Sequence, residues 1–352
     1  LKNLEIDYKD FFFVNNDYKN NKFWVKLWKR SVNFLPFPFF WKFYYLLIKK
    51  LNFKFDDSIK SYAFFQNQYL SKQKIDIFDN ISNEEEEKLI SYKIKNLAFN
   101  EGEKRGGRLF LEKKKTSDYK YICFNARDSS FLEAYNPKID WSYHNHRNCD
   151  INNYKLAIDN LANKGFVCFR TGSKTNKELD FKNNKIIDYA NSTERSDFLD
   201  IYLGAKCYMS VYSEGGLTVI PETYNRPIVY TNWPGLNIST FNKNSLIIFK
   251  KFYSKKKKRF LTFREINELE YSGNSSYYLL RDEEINLVEN TAEEINDAVI
   301  ENYLRLEKKW NETNQEIKLQ EKFWSIYNHR FIKSKNLKIG FSFLKNNYNL
   351  LD

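Results

Sequence analysis

The sequence predicts an α/β protein with a doubly wound parallel sheet in its second half, and two observations support this fold class. Short apolar runs alternate with amphipathic segments from Tyr121 to Asn232, which is the pattern of strands that alternate with helices. With 352 residues, the chain is also longer than one ordinary domain, so two domains are expected. We therefore predict an N-terminal domain with its linker over 1–115, a ligand-binding α/β domain over 116–285, and C-terminal helices over 286–352.

The elements of the second domain follow one another in a regular order. Gly165 stands at the position where a C-terminal helix cap is expected. Ligands of such sheets bind at the carboxyl ends of the strands, beside the starts of helices. The predicted strands cover 121–126, 166–172, 185–190, 207–213 and 226–232, and the predicted helices cover 152–165, 194–206 and 216–225.

The segments that flank this region are predicted as follows. Residues 83–98 indicate a helix with acidic residues in its first turn. The glycine-rich and charge-rich stretch 101–118 shows no periodicity, so we interpret it as the interdomain linker or a loop near it. A helix over 285–310, for which Asn290 and Thr291 are candidate caps, and a second helix over 317–327 are expected to pack back on the fold.

Residues 23–55 form the most aromatic and basic stretch of the chain. Pro36, Pro38 and Lys42 interrupt its apolar run, which is too short for a membrane span of about 20 residues. One interpretation is a helix pair that packs on the first domain. The other is an amphipathic, Lys/Arg-flanked patch that rests on an anionic membrane surface.

The composition restricts the classes of site. The net charge of +12 favours anionic partners, although lysine-rich codon usage contributes to it. The four cysteines form no CxxC pair, and with only three histidines a His/Cys metal site has little support. The chain shows no signal-peptide pattern, so we expect a cytoplasmic protein, with the inner face of the cytoplasmic membrane as its peripheral location.

Polar residues follow the first two predicted strands. Arg127 and Asp128 belong to the run Asn125–Asp128 directly after Tyr121–Phe124, where an arginine can bind a diphosphate with both arms of its guanidinium. An ion pair of Arg127 with Asp128 or another carboxylate is the structural alternative. Arg170 and Gly172 end the second strand, where they either face the ligand or serve the local structure.

A histidine-containing segment follows further along the chain. His144, His146 and Arg147 stand close together before the helix at 152–165. A neutral imidazole can act as a general base near pH 7, and a protonated one can stabilise a leaving phosphate. Local hydrogen bonding in a polar loop is the alternative, and a metal pair lacks further ligands nearby.

The strongest candidate site follows the fourth strand. Ser213, Gly215, Gly216 and Thr218 lie between a strand and a helix, where glycines allow a ligand to approach the backbone and a helix start favours phosphate. Glu222 lies one helical turn after Thr218, where its carboxylate can bind ribose hydroxyls. The motif is neither GxGxxG nor a Walker loop, and a plain tight turn is the alternative.

These stretches together resemble a family of bacterial surface-polysaccharide glycosyltransferases. The matching runs are YICFNARDS, YHNHRNCDINNY, SDFLDIYLGAKC, GGLTVIPETYNRPIVYTN and LVENTAEEINDAV…LQEKFW, in family order between Glu84 and Trp324. The GG…T…E arrangement also looks like the donor loop of the N-acetylglucosaminyltransferase that makes lipid II. FNARD is similar to the H-x-R motif of fucosyltransferases, with Asn125 at the histidine position.

The resemblance implies a GT-B fold of two Rossmann-like domains, with the nucleotide-sugar donor in the second domain and the acceptor on the first. It implies no essential metal and no cofactor beyond the nucleotide-sugar substrate, and it implies that the first domain is truncated. A polysaccharide or lipid-linked acceptor is expected, and nucleic acid is not. The donor-binding residues would be Arg127, Arg170, Gly172, Ser213, Gly215, Gly216, Thr218 and Glu222, and the catalytic ones His144, Arg147 and Asp128.

Two other functions fit parts of the sequence. One is a nucleotide-sugar epimerase of the same fold, which would need several carboxylates in the cleft. The other is a non-enzymatic basic module that binds a membrane or nucleic acid, which predicts one continuous face of Lys, Arg and aromatic residues. A phosphate-sized pocket behind Gly215 and Gly216 would distinguish the enzymes from the binding module.

Overall fold

The computed structural model of the chain describes residues 11–12, 21–30, 33–34, 40, 43, 97–236, 242, 244–271, 284–326 and 337–352. The chain divides into two compact units, one formed by residues 1–77 with 95–99 and the other by residues 78–94 with 100–352. The predicted domain boundaries at 115 and 285 stay predictions. Most of the predicted helix at 83–98 lies outside the described residues.

The first unit contains helix α1 (Lys22–Trp28) and a parallel pair of two-residue strands, β1 (Phe11–Phe12) and β2 (Asn33–Phe34). Helix α1 begins at Asn21, whose side chain accepts a hydrogen bond of 2.8 Å from the backbone N–H of Trp24. It buries Phe23 and Leu27, whereas Phe40 and Phe43 are exposed. Other parts of the aromatic stretch at 23–55 lie outside the described residues, so the membrane patch stays a prediction.

The second unit is built on a seven-stranded sheet in the order β12-β8-β7-β6-β3-β4-β5, in which every neighbouring pair is parallel. The prediction of a parallel α/β sheet is therefore confirmed. The strands are β3 (Tyr121–Asn125), β4 (Val167–Arg170), β5 (Ile186–Ile187), β6 (Met209–Ser213), β7 (Ile228–Trp233), β8 (Ser245–Phe249) and β12 (Leu337–Ile339).

Helices cover both faces of this sheet, as the alternation of side chains along β3 shows. Ile122 and Phe124 belong to the core on the side of helix α4 (Lys155–Asn163). Tyr121 and Cys123 point to the opposite face, where both bond to the carbonyl of Leu203 in helix α5 (Asp197–Lys206). Strands buried on both faces read as continuous apolar runs, which is why the sequence signal for β3 is clear.

Residues 101–118 do not form the loop that the sequence predicted. Most of this stretch is helix α2 (Glu101–Lys113), which begins with a complete capping box between Asn100 and Glu103. Gly107 is buried against the ring of Tyr202 in α5. Gly107, one of the glycines that suggested a loop, therefore allows two helices to approach closely.

The region from 250 onward differs from the sequence prediction in several ways. Residues Ile285–Val288 form strand β11 and not the start of a helix, and they pair with β9 (Lys251–Ser254), which also pairs with β10 (Arg259–Phe260). Helix α8 spans Ala292–Leu306, and its N-cap is Thr291, while Asn290 is fully buried. The further helices within the described residues of this unit are α3 (Ser130–Tyr135), α6 (Val219–Thr223), α7 (Phe263–Tyr271), α9 (Asn314–Ile326) and α10 (Phe341–Asn346).

The C-terminal helices contribute to the main core. Ile295 and Val299 of α8 and Phe323 of α9 are buried in the cluster that covers one face of the sheet. Strand β12, which the sequence analysis missed, extends the sheet beside β8. In the described part of the chain, no helix has the length and apolar character needed to cross a membrane.

Candidate functional site

The carboxyl ends of β3, β6, β7 and β8 bring polar residues together at one edge of the sheet. Arg127 follows β3, and its backbone N–H donates to the Ser213 hydroxyl at the end of β6 over 2.8 Å. A Cβ placed on Gly215 would lie 3.9 Å from the Cδ of Arg127. Arg127 and Gly215 therefore lie at the same edge of the sheet, because β3 and β6 are adjacent and parallel.

Arg127 is a partly buried cation that binds uncharged groups. Its guanidinium donates to the backbone carbonyl of His144 at 3.2 Å and to the side-chain oxygen of Asn148. Among the described residues, no carboxylate forms an ion pair with it. Burial, together with the nearby charge of Arg147, lowers the pKa of Arg127 to about 10. The charge of this side chain is therefore only partly compensated.

Arg147 lies beside Arg127 and faces two groups of different charge. Its Nε lies 2.8 Å from a carboxylate oxygen of Glu214, but the pair lacks the alignment of a hydrogen bond, so this buried N–H is unsatisfied. Its terminal nitrogen lies 3.4 Å from Nδ1 of His144. Arg147 therefore connects the histidine segment to the loop after β6.

Lys250 is a third cation of this site, and the sequence analysis did not identify it. It follows β8 directly and is buried, and its ammonium donates to the backbone carbonyl of Asn148. Burial lowers the pKa of Lys250. The positive charge of Arg127 also lowers it, whereas the negative charge of Glu214 raises it. In the sequence, a lysine directly after the apolar run Ser245–Phe249 is the pattern that could have indicated this residue. We call Arg127, Arg147 and Lys250 the cation cluster.

The two histidines lie in a 3₁₀ segment, Ser142–Arg147, next to the cation cluster. The His144 ring is tilted against Tyr143, with ring centroids 4.1 Å apart, and it stacks on Trp141 at 6.2 Å. Burial first, and then the charges of Arg147 and Arg127, lower its pKa to about 4. The pKa of His146 is lowered to about 4, mainly by burial. Both rings are therefore neutral at pH 7.

The loop after β6 is open on one side. Gly216 is exposed, and a Cβ there would meet no atom within 4 Å. The predicted helix at 216–225 is shorter than expected: a 3₁₀ turn at Gly216–Thr218 leads into the five-residue helix α6. The Thr218 hydroxyl donates to the carbonyl of Gly215 at 2.9 Å, which ties this turn together.

Glu222 lies in α6, and its carboxylate accepts a hydrogen bond of 2.6 Å from the hydroxyl of Tyr230 on β7. Burial raises its pKa to about 7. Near neutral pH this carboxyl group is therefore partly protonated. One of its oxygens is engaged by the sheet, so its predicted contact with ribose hydroxyls would use the other oxygen.

Asp128 is engaged by its own loop. One oxygen of its carboxylate accepts bonds from the backbone N–H and the hydroxyl of Ser130, and the other accepts a bond of 2.9 Å from the backbone N–H of Asn176. These contacts order the segments after β3 and β4. The carboxylate therefore has a local structural role, and its catalytic role stays a prediction.

Arg170 and Gly172 lie further along the same edge. Arg170 is 1% exposed, and it donates to the carbonyl of Lys177 and pairs with Asp188 at 3.4 Å. Gly172 has a φ of +148°, which favours glycine, and its carbonyl accepts from Arg195. The contacts of Arg170 are with the neighbouring loops, and they do not join it to the cation cluster.

Comparisons with protein-family models, with curated proteins and with solved structures found no match for this chain. Across the ranges that the structure describes, no group of three or more His, Cys, Asp or Glu residues is placed to hold a metal ion. The arrangement at this edge is a cluster of cations with two neutral imidazoles and an open glycine loop. Chemically, it can hold an anion with several oxygens.

Proposed function

We propose that this chain is a glycosyltransferase of GT-B type that transfers a sugar from a nucleotide-activated donor to a surface-polysaccharide or lipid-linked acceptor without a metal ion. The observation that carries the proposal is the partly buried guanidinium of Arg127, which binds only uncharged acceptors among the described residues and lies next to two further cations. An arginine in such a place is suited to a diphosphate.

The position of the cluster supports the same function. Open parallel sheets bind ligands at the carboxyl ends of their strands, and the cluster lies at the ends of β3 and β8, next to the loop after β6. Gly215 and Gly216 add no side chain where a ligand would approach. We assign the diphosphate to Arg127, Arg147 and Lys250, and the ribose to Glu222.

The reaction requires a change of charge that this site can support. Transfer breaks the bond between the anomeric carbon of the sugar and the diphosphate, and it forms a bond to the oxygen of an acceptor hydroxyl, whose proton passes to water. The leaving diphosphate gains negative charge, and cations and N–H donors that are already in place stabilise that charge. In this proposal, His144 donates a hydrogen bond to the leaving group.

Binding of nucleotide sugars tests the proposal. We expect that a thermal-shift panel of UDP-, GDP- and CMP-sugars identifies a stabilising donor, whose affinity is then measured by calorimetry. Because a charged contact in a partly buried site is worth roughly 2–4 kcal/mol, Arg127→Ala should weaken binding by about 30- to 1,000-fold.

Arg264→Ala is the matched control. Arg264 is exposed on α7, and its substitution removes the same charge from the chain. We expect its donor affinity to equal that of the wild type. Equal donor affinity in the Arg127→Ala variant would contradict the assignment of the diphosphate to this cluster.

A further inference from the structure

Glu214 is a carboxylate inside a site that we assign to an anion. It stands between Ser213 and Gly215, at the point where β6 ends and the open loop begins. Its side chain is 29% exposed, and it lies 2.8 Å from the Nε of Arg147. A negative group in this place competes with any anionic ligand for the same cation.

The contact between Glu214 and Arg147 is close but poorly formed. The Nε of Arg147 is buried and has no aligned hydrogen-bond acceptor, although the carboxylate oxygen is near. An Arg–carboxylate pair of good geometry would be bidentate, with two parallel N–H···O bonds. The carboxylate therefore neutralises Arg147 without satisfying it, so an anion with better-placed oxygens can replace it at little cost.

The charge of Glu214 also reaches the two other cations. It favours the charged forms of Arg127 and Lys250, which burial disfavours. The carboxylate thus compensates part of the charge of the whole cation cluster in the absence of a ligand. It thereby offsets part of the repulsion among three cations that lie close together at the end of a sheet.

Open space adjoins the loop that carries Glu214. Gly216, two residues further on, is exposed, and a Cβ on it would touch nothing within 4 Å. A Cβ on Gly215 would lie at an ordinary van der Waals distance from the side chain of Arg127. A ligand can therefore approach the loop from this side, and the side chain of Glu214 is itself 29% exposed.

We propose that Glu214 is a resident counter-ion that holds the cation cluster together when it is empty and is displaced by the diphosphate of the substrate. The inference rests on the proposed function, and it adds a determinant of specificity. A ligand with a single negative charge that displaces Glu214 brings no more negative charge to the cations than the carboxylate did. A diphosphate brings more charge than it displaces, so Glu214 makes the site select polyanions.

The test measures binding of inorganic pyrophosphate and of acetate, a monoanion, by calorimetry to the whole chain. We expect Glu214→Gln, which keeps the shape and removes the charge, to bind pyrophosphate about 10-fold more tightly than the wild type. Acetate binding should become measurable in the same variant, because no carboxylate competes for Arg147. Glu214→Asp, whose side chain is one methylene shorter, should bind pyrophosphate with an affinity between those of the wild type and the glutamine variant. This variant provides the test if Glu214→Gln does not fold.

Glu194→Gln is the control, because it removes an equal charge from the chain. Glu194 pairs with Lys113 and Lys114 and not with the cation cluster. It should leave pyrophosphate affinity unchanged. Unchanged or weaker pyrophosphate binding by the Glu214 variants, with clear binding by the wild type, would overturn the counter-ion role. If neither the wild type nor the variants bind pyrophosphate, the cluster is not a phosphate site and the proposed function fails with it.

Discussion

His144 and His146 lie in the same 3₁₀ segment, but their rings have different hydrogen-bonding partners. Nδ1 of His144 faces an N–H of Arg147, so it acts as an acceptor and the proton of the neutral ring lies on Nε2. Nδ1 of His146 lies 3.0 Å from the carbonyl of Tyr143, so it carries the proton and leaves Nε2 as an acceptor. The ring of His144 is thus suited to donate a hydrogen bond to a leaving phosphate, and that of His146 is suited to accept a proton.

We predict that His144→Ala lowers the turnover of the identified donor by about 100-fold or more while donor affinity holds, because the lost donor acts in the transition state. His144→Gln should recover part of this loss, since its amide also donates. With a pKa of about 4, His144 itself should contribute no change in turnover between pH 6 and 8, where Glu222 titrates in the donor site, and its own protonation should matter only as the pH falls toward 4. Single-turnover kinetics over this pH range measures both effects.

His146→Ala is the comparison for this prediction. We expect it to retain more turnover than His144→Ala. If instead His146→Ala loses turnover and His144→Ala keeps it, the proton acceptor at Nε2 of His146 is the essential group, and the choice of His144 is wrong.

At the scale of elements, helix α2 shows how glycine can support a helix contact. Gly106 and Gly107 are neighbours in the helix, but they lie on different sides of it. A Cβ on Gly107 would lie 2.2 Å from the ring of Tyr202, whereas a Cβ on the exposed Gly106 would come no closer than 3.8 Å to Phe198. The Tyr202 hydroxyl bonds to Asp118 at 2.9 Å, which holds the ring against the helix.

These two glycines give a matched pair of substitutions. Gly107→Ala should destabilise the protein by about 1–3 kcal/mol, because the methyl group overlaps a ring that cannot withdraw easily. Gly106→Ala should stabilise it by about 0.5–1 kcal/mol, because alanine favours the helix and the added group meets only ordinary contacts. Chemical denaturation measures both values. Equal effects of the two substitutions would contradict the close packing of α2 on α5.

At the scale of the whole second unit, one arginine joins three C-terminal elements. Arg305 of α8 binds Glu301 in its own helix at 2.8 Å and also binds Glu316 of α9. The other oxygen of Glu301 accepts from the backbone N–H of Phe341 at the start of α10. Glu301 and Glu316 are almost fully buried, and burial raises the pKa of Glu301 to about 7. This network holds α9 and α10 on the helix that covers the sheet.

We predict that Arg305→Ala costs about 3–5 kcal/mol in the free energy of unfolding at pH 7, because it leaves two buried carboxylates without their cation. The loss should shrink as the pH falls from 7 to 5. The folded pKa of Glu301, about 7, lies above the unfolded value, so Glu301 stabilises the folded state when it is protonated, and that contribution disappears as the pH rises. Urea titrations at pH 5 and pH 7 measure the difference.

Arg259→Ala is the control, since Arg259 pairs with Glu265 at a position where half of its side chain is exposed. Exposed pairs contribute about 0–1 kcal/mol, so this variant should stay close to the wild type. A cost for Arg305→Ala that is as small as that of Arg259→Ala would show that the network does not hold the C-terminal helices.

Sequence reasoning identified the central strands because they are buried on both faces and are separated by capped helices. The motif at Gly165 illustrates this: it follows α4 with a φ of +106°, as a helix-ending glycine should. Sequence predictions were wrong where a residue bonds to partners that are distant in the chain. Asn290 is one of two candidate helix caps in the sequence, beside Thr291, yet it exchanges two hydrogen bonds with Asn232, 58 residues away.

The parallel α/β class, the order of the central elements, and the placement of Arg127, Ser213 and Gly215 at strand ends could all be predicted from the amino-acid sequence. These features follow from periodicity and turn chemistry, which act between near neighbours in the chain. The folded chain was needed to show that Lys250 joins the cluster, that Glu214 faces Arg147, and that α2 is a helix packed through Gly107. Each of these depends on which distant strands and helices lie side by side, and no local pattern of residues specifies that.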